Sequence, residues 1–167
     1  ELINASIKDK VVMVTGGAGS IGSELCRQVL EFVCRHLVLY DQHENGMFFL
    51  NQEFKEKYDT SRYTLVVGTV RETDKLKSVF SEYKPDTVFH AAAYKHVPMM
   101  EISPTEAIKN NVFGTLNVIE CAEEVGVQKF VLISTDKAVN PSNVMGASKR
   151  IAEMVVETKG KTSKMNM

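Results

Sequence analysis

The stretch STDKAVNPSNVMGASKR at 134–150 puts Thr135, Asp136 and Lys137 side by side, with a second lysine, Lys149, twelve residues after the first. A carboxyl group next to an amine can give a proton at one atom of a ligand and take one at another. Met145 precedes Lys149 by four residues, about one helical turn, so the two share a helix face. A thioether accepts no proton from a hydroxyl, so Met145 itself does no acid–base work. For Lys137 to act as a base near pH 7, its ammonium form has to be disfavoured by about 4 kcal/mol relative to water. Burial against a ligand and the like charge of Lys149 act in that direction, and Asp136 acts against it. The competing reading is a solvated Asp136–Lys137 ion pair in a loop, which contributes little.

A second group of residues is suited to holding phosphate. Gly16, Gly17, Gly19 and Gly22 follow the apolar run VVMVT directly and open a helical stretch. They fit GxGxxG through Gly17, Gly19 and Gly22, and GxxGxxG through Gly16, Gly19 and Gly22. Such glycines give a tight turn and close backbone approach to a pyrophosphate, which then faces the exposed N–H groups of a helix start. Asp41 follows Gly22 by nineteen residues, at the end of the next apolar run, where a carboxylate accepts from the hydroxyls of an adenosine ribose. A carboxylate there repels a 2′-phosphate, and Gln42 stands beside it where an arginine would welcome one. The cofactor expected is therefore NAD rather than NADP.

These residues need a frame. Apolar runs of strand length recur at Val11–Thr15, His36–Tyr40, Tyr63–Val67, Thr87–His90 and Lys129–Ser134. VVMVT and KFVLIS show no in-out alternation, as in parallel strands covered on both faces. Amphipathic stretches lie between them at 20–32, 44–58, 72–82, 104–125 and 143–158, with Gly126 as a C-cap and Asn143 as an N-cap. Strand alternating with helix implies right-handed βαβ crossovers in one α/β domain over 1–167, a Rossmann-like doubly wound parallel sheet of order 3-2-1-4-5. The formal charge of −1 gives no general attraction to nucleic acid. No apolar run reaches the length of a membrane span, and His36, His43 and His90 lack metal-ligand spacing. Cys26, Cys34 and Cys121 form no CxxC pair and read as reduced structural thiols of a cytoplasmic chain. A start at Glu1 and an end at Lys-Met-Asn-Met read as a piece of a longer protein, to which later strands, a substrate-binding part and any membrane attachment would belong.

TGGAGSIG at 15–22, HAAAYKHVPMME at 90–101, NNVFGTLNV at 110–118 and STDKAVNPSNVMGASKR at 134–150 together resemble the extended short-chain dehydrogenase/reductase superfamily. Within it the chain is most similar to the nucleotide-sugar 4,6-dehydratases of polysaccharide biosynthesis, the CapD/WbpM-like group. The last motif is the most specific, since the superfamily as a whole does not share Asp-Lys at that point.

The resemblance implies a tightly bound nicotinamide cofactor and a UDP-N-acetyl-hexosamine substrate. Hydride leaves C4, water is lost across C5–C6, and the hydride returns to C6. Carried over by position, Gly16, Gly19, Ser20, Ile21 and Gly22 hold the pyrophosphate, while Ala91, Ala92 and Ala93 let the cofactor approach. Tyr94, Lys95 and His96 form a polar cluster beside the nicotinamide, with Lys95 as the cofactor contact. Asn111 is the asparagine that bonds the strand-four backbone near the cofactor. Thr135 is the hydroxyl member of the superfamily's catalytic set, Asp136 the acid for the C6 hydroxyl, Lys137 the base for the C5 proton, and Lys149 the ligand of the nicotinamide ribose.

Two departures stand out. Gly68-Thr69-Val70-Arg71 lacks the family's aspartate after the third strand, which leaves Thr69 and Val70 at the adenine. Met145 stands where most of the superfamily has tyrosine, a feature of the WbpM-like branch. The family also implies a homo-oligomer through the fourth and fifth predicted helices, 104–125 and 143–158. The chain alone is expected to bind cofactor without turning substrate over. The alternatives are a UDP-sugar 4-epimerase of the same superfamily and a non-catalytic nucleotide-binding module.

Overall fold

The computed structural model describes residues 7–167. Five strands, β1 (Val11–Thr15), β2 (His36–Asp41), β3 (Tyr63–Val67), β4 (Thr87–His90) and β5 (Lys129–Leu132), form one sheet of order β3-β2-β1-β4-β5. Every pairing is parallel, with Val12 opposite Leu37 and Thr87, and Val88 opposite Phe130. The helices are α1 (Ser20–Glu31), α2 (Glu44–Lys57), α3 (Thr73–Tyr83), α4 (Val97–Ile102), α5 (Pro104–Ala107), α6 (Gly114–Val125) and α7 (Val144–Gly160).

The uniformly apolar strands are explained by burial on both faces. Val12, Val14, Leu37 and Leu39 pack with Cys26 and Leu30 of α1 and Leu50 and Phe54 of α2. Val11, Met13, Val38 and Tyr40 point the other way, toward Leu76 and Phe80 of α3 and Val118 and Ile119 of α6. Residues one apart in a strand thus serve opposite layers.

The strand order and four of the five expected long helices match the sequence reading, with ends displaced by a residue or two. Gly126 ends α6 in the left-handed conformation, and the Asn143 Oδ1 accepts from the Gly146 N–H at 2.7 Å to cap α7. Three features differ. A short helix, α4, fills the stretch after β4, which the sequence reading treats as a loop. The helical run from Pro104 to Val125 is interrupted by a π turn at Ile108–Phe113, where Asn110 and Asn111 are buried. Near the C-terminus the chain runs parallel to β5, with the Phe130 N–H donating to the Asn166 carbonyl at 2.8 Å.

Phe80 has no solvent exposure and sits between α3 and the sheet, so Phe80→Ala is expected to lower stability by about 3–5 kcal/mol. Phe49 on α2 is 70 % exposed, and Phe49→Ala is expected to change stability by no more than about 0.5 kcal/mol. Urea denaturation of both variants checks the assignment of inner and outer faces.

Candidate active site

Two glycines let backbone touch backbone where the loop after β1 meets the chain after β4 and the start of α1. Gly16 adopts a φ of +72°, and a Cβ on it would lie 2.6 Å from the carbonyl carbon of Ala91 and the nitrogen of Ala92. A Cβ on Gly22 would lie 1.9 Å from the Gly16 carbonyl oxygen. Gly17 and Gly19 are less crowded, at 3.3 Å from their nearest neighbours. The steric requirement therefore falls on the GxxGxxG reading. Gly19 precedes α1, and no side chain caps it, which leaves the first-turn N–H groups for an anion. Ser20 and Ile21 start that helix and are exposed, Ile21 by 57 %.

Asp41 ties this loop to β2. Its Oδ2 accepts from the Ala18 N–H at 2.9 Å and its Oδ1 from the His43 N–H at 2.8 Å. Each carboxylate oxygen keeps a further acceptor position. On the far side the Thr69 carbonyl accepts from the buried Tyr40 hydroxyl at 3.1 Å, and the Val70 carbonyl from Asn117 Nδ2 at 3.1 Å. These elements enclose a cleft of about 550 Å3. Of the residues expected at a cofactor, Gly16, Gly19, Asp41, Gln42, Thr69, Val70, Ala91, Ala92, Ala93 and Lys95 line it. His43, Tyr94, His96 and Met99, outside that expected cofactor set, line it too.

Asn111 lies beneath this cleft, and its side chain is fully engaged within the chain. Nδ2 donates to the Tyr94 carbonyl at 3.0 Å and to Ser148 Oγ at 2.9 Å. Oδ1 accepts from the Tyr94 N–H at 2.8 Å and from Asn110 Nδ2 at 3.1 Å. It holds the loop after β4 to α7, with no hydrogen-bonding position left over.

Thr135, Asp136 and Lys137 follow β5, the last two on a single 3-10 turn, Asp136–Ala138. The Thr135 hydroxyl donates to Asp136 Oδ1 at 2.9 Å, and the Lys137 ammonium lies 3.7 Å from the same oxygen. The hydrogen bond from Thr135, with the charge of Lys137, holds the Asp136 carboxyl below its ordinary range. Both charged side chains face solvent, Asp136 by 89 % and Lys137 by 50 %. The turn rests on α7 at Gly146, where a Cβ would lie 2.3 Å from the Lys137 carbonyl oxygen. Sequence reasoning passed over Gly146, although a glycine in the first turn of a helix is the signal of such a close approach. Glu101 was also missed: its Oε1 accepts from the Val144 N–H at 2.8 Å, at the start of α7.

Met145 shares a buried apolar cluster with Met100 and Ala107, against which Tyr94 and Val97 pack. Lys149 on the same helix is 6 % exposed, and its Nζ donates to the Ile133 carbonyl at 2.7 Å. Burial pushes its ammonium down to about 8, and Glu153 one turn later works against that shift. The buried amine of this site is thus Lys149, while Lys137, for which the sequence argument required burial, is half exposed in this structure.

The model of a family described as polysaccharide biosynthesis protein matches residues 12–167. The chain belongs to that family. A member from Staphylococcus aureus, capsular polysaccharide biosynthesis protein CapD, is 50 % identical over 94 % of this chain and 26 % of its own length. A UDP-N-acetylglucosamine 4,6-dehydratase (inverting) of Campylobacter jejuni is 38 % identical over 84 % of this chain and 40 % of the enzyme. A UDP-glucose 4-epimerase of Rickettsia canadensis is 36 % identical over 95 % and 46 %. Among solved structures, Pen from Bacillus thuringiensis superposes with a TM-score of 0.89 at 34 % identity, covering 96 % of this chain and 50 % of that one. The family match and the sheet order agree with the short-chain dehydrogenase/reductase resemblance. The chain spans between about a quarter and a half of the length of these relatives. Among the described residues, no helix is long and apolar enough to cross a membrane.

Lys149 also gives this chain a pH signature. An unfolded lysine titrates near 10.4 and the folded one near 8. Between these values the unfolded chain holds a proton that the folded chain has released, so stability rises with pH across that window. Below pH 8 the full penalty of the buried ammonium is present. Lys149→Met is expected to be more stable than the parent at pH 7 by about 1–3 kcal/mol, a gap that closes toward pH 10. Urea denaturation at several pH values measures it, and a gap independent of pH would reject the burial of the charge.

Proposed function

We propose that the chain is the NAD-binding portion of a UDP-N-acetyl-hexosamine 4,6-dehydratase that serves surface polysaccharide synthesis. The observation that carries this reading is the Asp136–Lys137 pair, exposed on a turn beyond β5 and docked on the helix that bears Lys149. Beyond the carboxyl ends of the strands is where a doubly wound sheet receives ligands. The dehydratase of Campylobacter jejuni supports the same reaction class.

The glycine cradle fits a dinucleotide. Gly16 and Gly22 leave room for a pyrophosphate at the open N-terminus of α1, and Ser20 and Ile21 present first-turn N–H groups to it. Asp41 accepts from the adenosine ribose, and its two backbone anchors keep it from turning away from a 2′-phosphate, which favours NAD over NADP. Thr69 and Val70 flank the adenine, Ala91 to Ala93 allow close approach, and Lys95 reaches the nicotinamide side. Bound there, NAD would accept the C4 hydride of the sugar and return it to C6.

The proton steps belong to the chain. Lys149, whose amine is partly free near pH 8, takes the proton of the C4 hydroxyl that Thr135 orients, a task that Met145 cannot perform. Asp136 rests as a carboxylate beside the Lys137 ammonium. A sugar closing over this pair removes its water, and in a low dielectric two neutral partners are favoured over two charges. The proton then passes from Lys137 to Asp136. Lys137 takes the C5 proton and Asp136 protonates the departing C6 hydroxyl. Once C6 has regained its hydride, the Lys137 ammonium, exchanged with solvent, gives a proton back to C5. The proton that Lys149 took replaces it through solvent, which restores the ion pair found in the free chain. Exposed Phe113 at the end of the π turn, and Ile151 and Met154 on α7, suit the expected contact between two copies.

The test uses the longer protein with UDP-N-acetylglucosamine in deuterium oxide, followed by mass spectrometry and NMR. A product lighter by one water, with deuterium at C5, is expected. Asp136→Asn and Lys137→Met should each lower turnover by about 100-fold or more while leaving NAD affinity unchanged. An isomer of unchanged mass, inverted at C4, would make the protein an epimerase. Unchanged sugar with NAD bound would make it a nucleotide-binding module.

A further inference from the structure

A buried line of polar side chains runs under the cleft, from the cofactor loop to the helix of Lys149. Thr15 ends β1 next to Gly16, and its hydroxyl lies 2.6 Å from His90 Nδ1 at the end of β4. His90 Nε2 lies 2.9 Å from Thr115 Oγ1. The single hydroxyl proton of Thr115 is spent on the Asn111 carbonyl, at 2.7 Å. Toward His90 that oxygen can only accept, so Nε2 carries the hydrogen, Nδ1 is bare, and the Thr15 hydroxyl donates to it. The line continues through the π turn, because Asn111 holds Tyr94 by both backbone groups and donates to Ser148 Oγ. Ser148, the residue before Lys149, donates to the Met145 carbonyl at 2.7 Å.

Thr15, His90 and Thr115 are each at most 1 % exposed. A trio of apolar residues of similar shape would fill the space at little cost to stability, since replacing all partners of a buried hydrogen bond together is nearly neutral. What an apolar trio lacks is direction. Each donor here has one acceptor, so the spacing of β1, β4 and the π turn is held in one arrangement.

We propose that His90 is a positioning residue: its neutral Nε2–H ring sets the register between the phosphate loop after β1 and the assembly of Asn111, Tyr94 and α7. Burial, and the charge of Lys149 after it, hold the ring's titration down to about 3, which keeps it uncharged at neutral pH. This rests on the NAD reading above only where cofactor affinity is used as a readout.

Three measurements on this chain test it. In 15N spectra the His90 ring should show a protonated Nε2 and a bare Nδ1; the opposite tautomer or a charged ring would overturn the proposal. The triple variant Thr15→Val, His90→Phe, Thr115→Val should fold, yet exchange the Tyr94 amide about tenfold faster relative to the core amide of Val38. His90→Gln, which keeps one acceptor and one donor, should retain the parent's rate. Equal acceleration of Tyr94 and Val38, or none, means that His90 only fills space, and the proposal fails. If the triple variant does not fold, the ring tautomer and the His90→Gln exchange rate decide. NAD affinity, read by fluorescence titration, should fall about tenfold in the triple variant and stay within about threefold in His90→Gln. A parent chain that binds no NAD would sink the functional reading, while tautomer and exchange would still judge this one.

Discussion

The Gly16 carbonyl oxygen occupies the space that a Cβ on Gly22 would need, 1.9 Å away, and Gly16 itself presses on the backbone at Ala91 and Ala92. The loop after β1 can lie between the chain after β4 and the start of α1 only because neither residue carries a side chain. From that contact follow the direction of α1, the anchoring of Asp41 on the loop, and the position of the chain after β4. That chain then carries Tyr94 to Asn111, and Asn111 carries the constraint to α7. Cofactor loop and lysine helix are thus parts of one backbone arrangement rather than two sites side by side.

The frame was legible because burial on both faces leaves a plain mark: VVMVT and HLVLY can be little else than covered parallel strands. Strand order followed from the glycine loop after the first strand, which points to the dinucleotide-binding order of a doubly wound sheet. Element ends were less legible, since a helix end is decided by local bonds such as that from the Val144 N–H to Glu101, a residue far away in sequence. The short helix after β4 escaped because its proline and two methionines show no period over six residues. The line through Thr15, His90 and Thr115 could not be read at all, since residues on two strands and one helix become neighbours only through the sheet order.

Among the candidate catalytic residues, the sequence named the lysines but could not rank their surroundings. Lys137 and Lys149 look alike as letters. In the fold one is half in water beside a carboxylate, and the other is enclosed under the end of β5. The difference comes from position: a turn beyond a strand projects outward, whereas the second turn of α7 faces the sheet. The turn beyond β5 thus carries an exposed ion pair, and α7 an enclosed amine.

The π turn at Ile108–Phe113 places six residues where a regular helix would place about five, so everything downstream is rotated by about 100° relative to a continuous helix. Asn110 and Asn111 lie within it and are buried. A helical wheel drawn through Pro104–Val125 in one piece therefore assigns the wrong face to one half. Removing one of these six residues would leave a regular helix whose two halves keep their faces toward the sheet, so the turn stores a residue that a continuous helix could hold only by turning one half away.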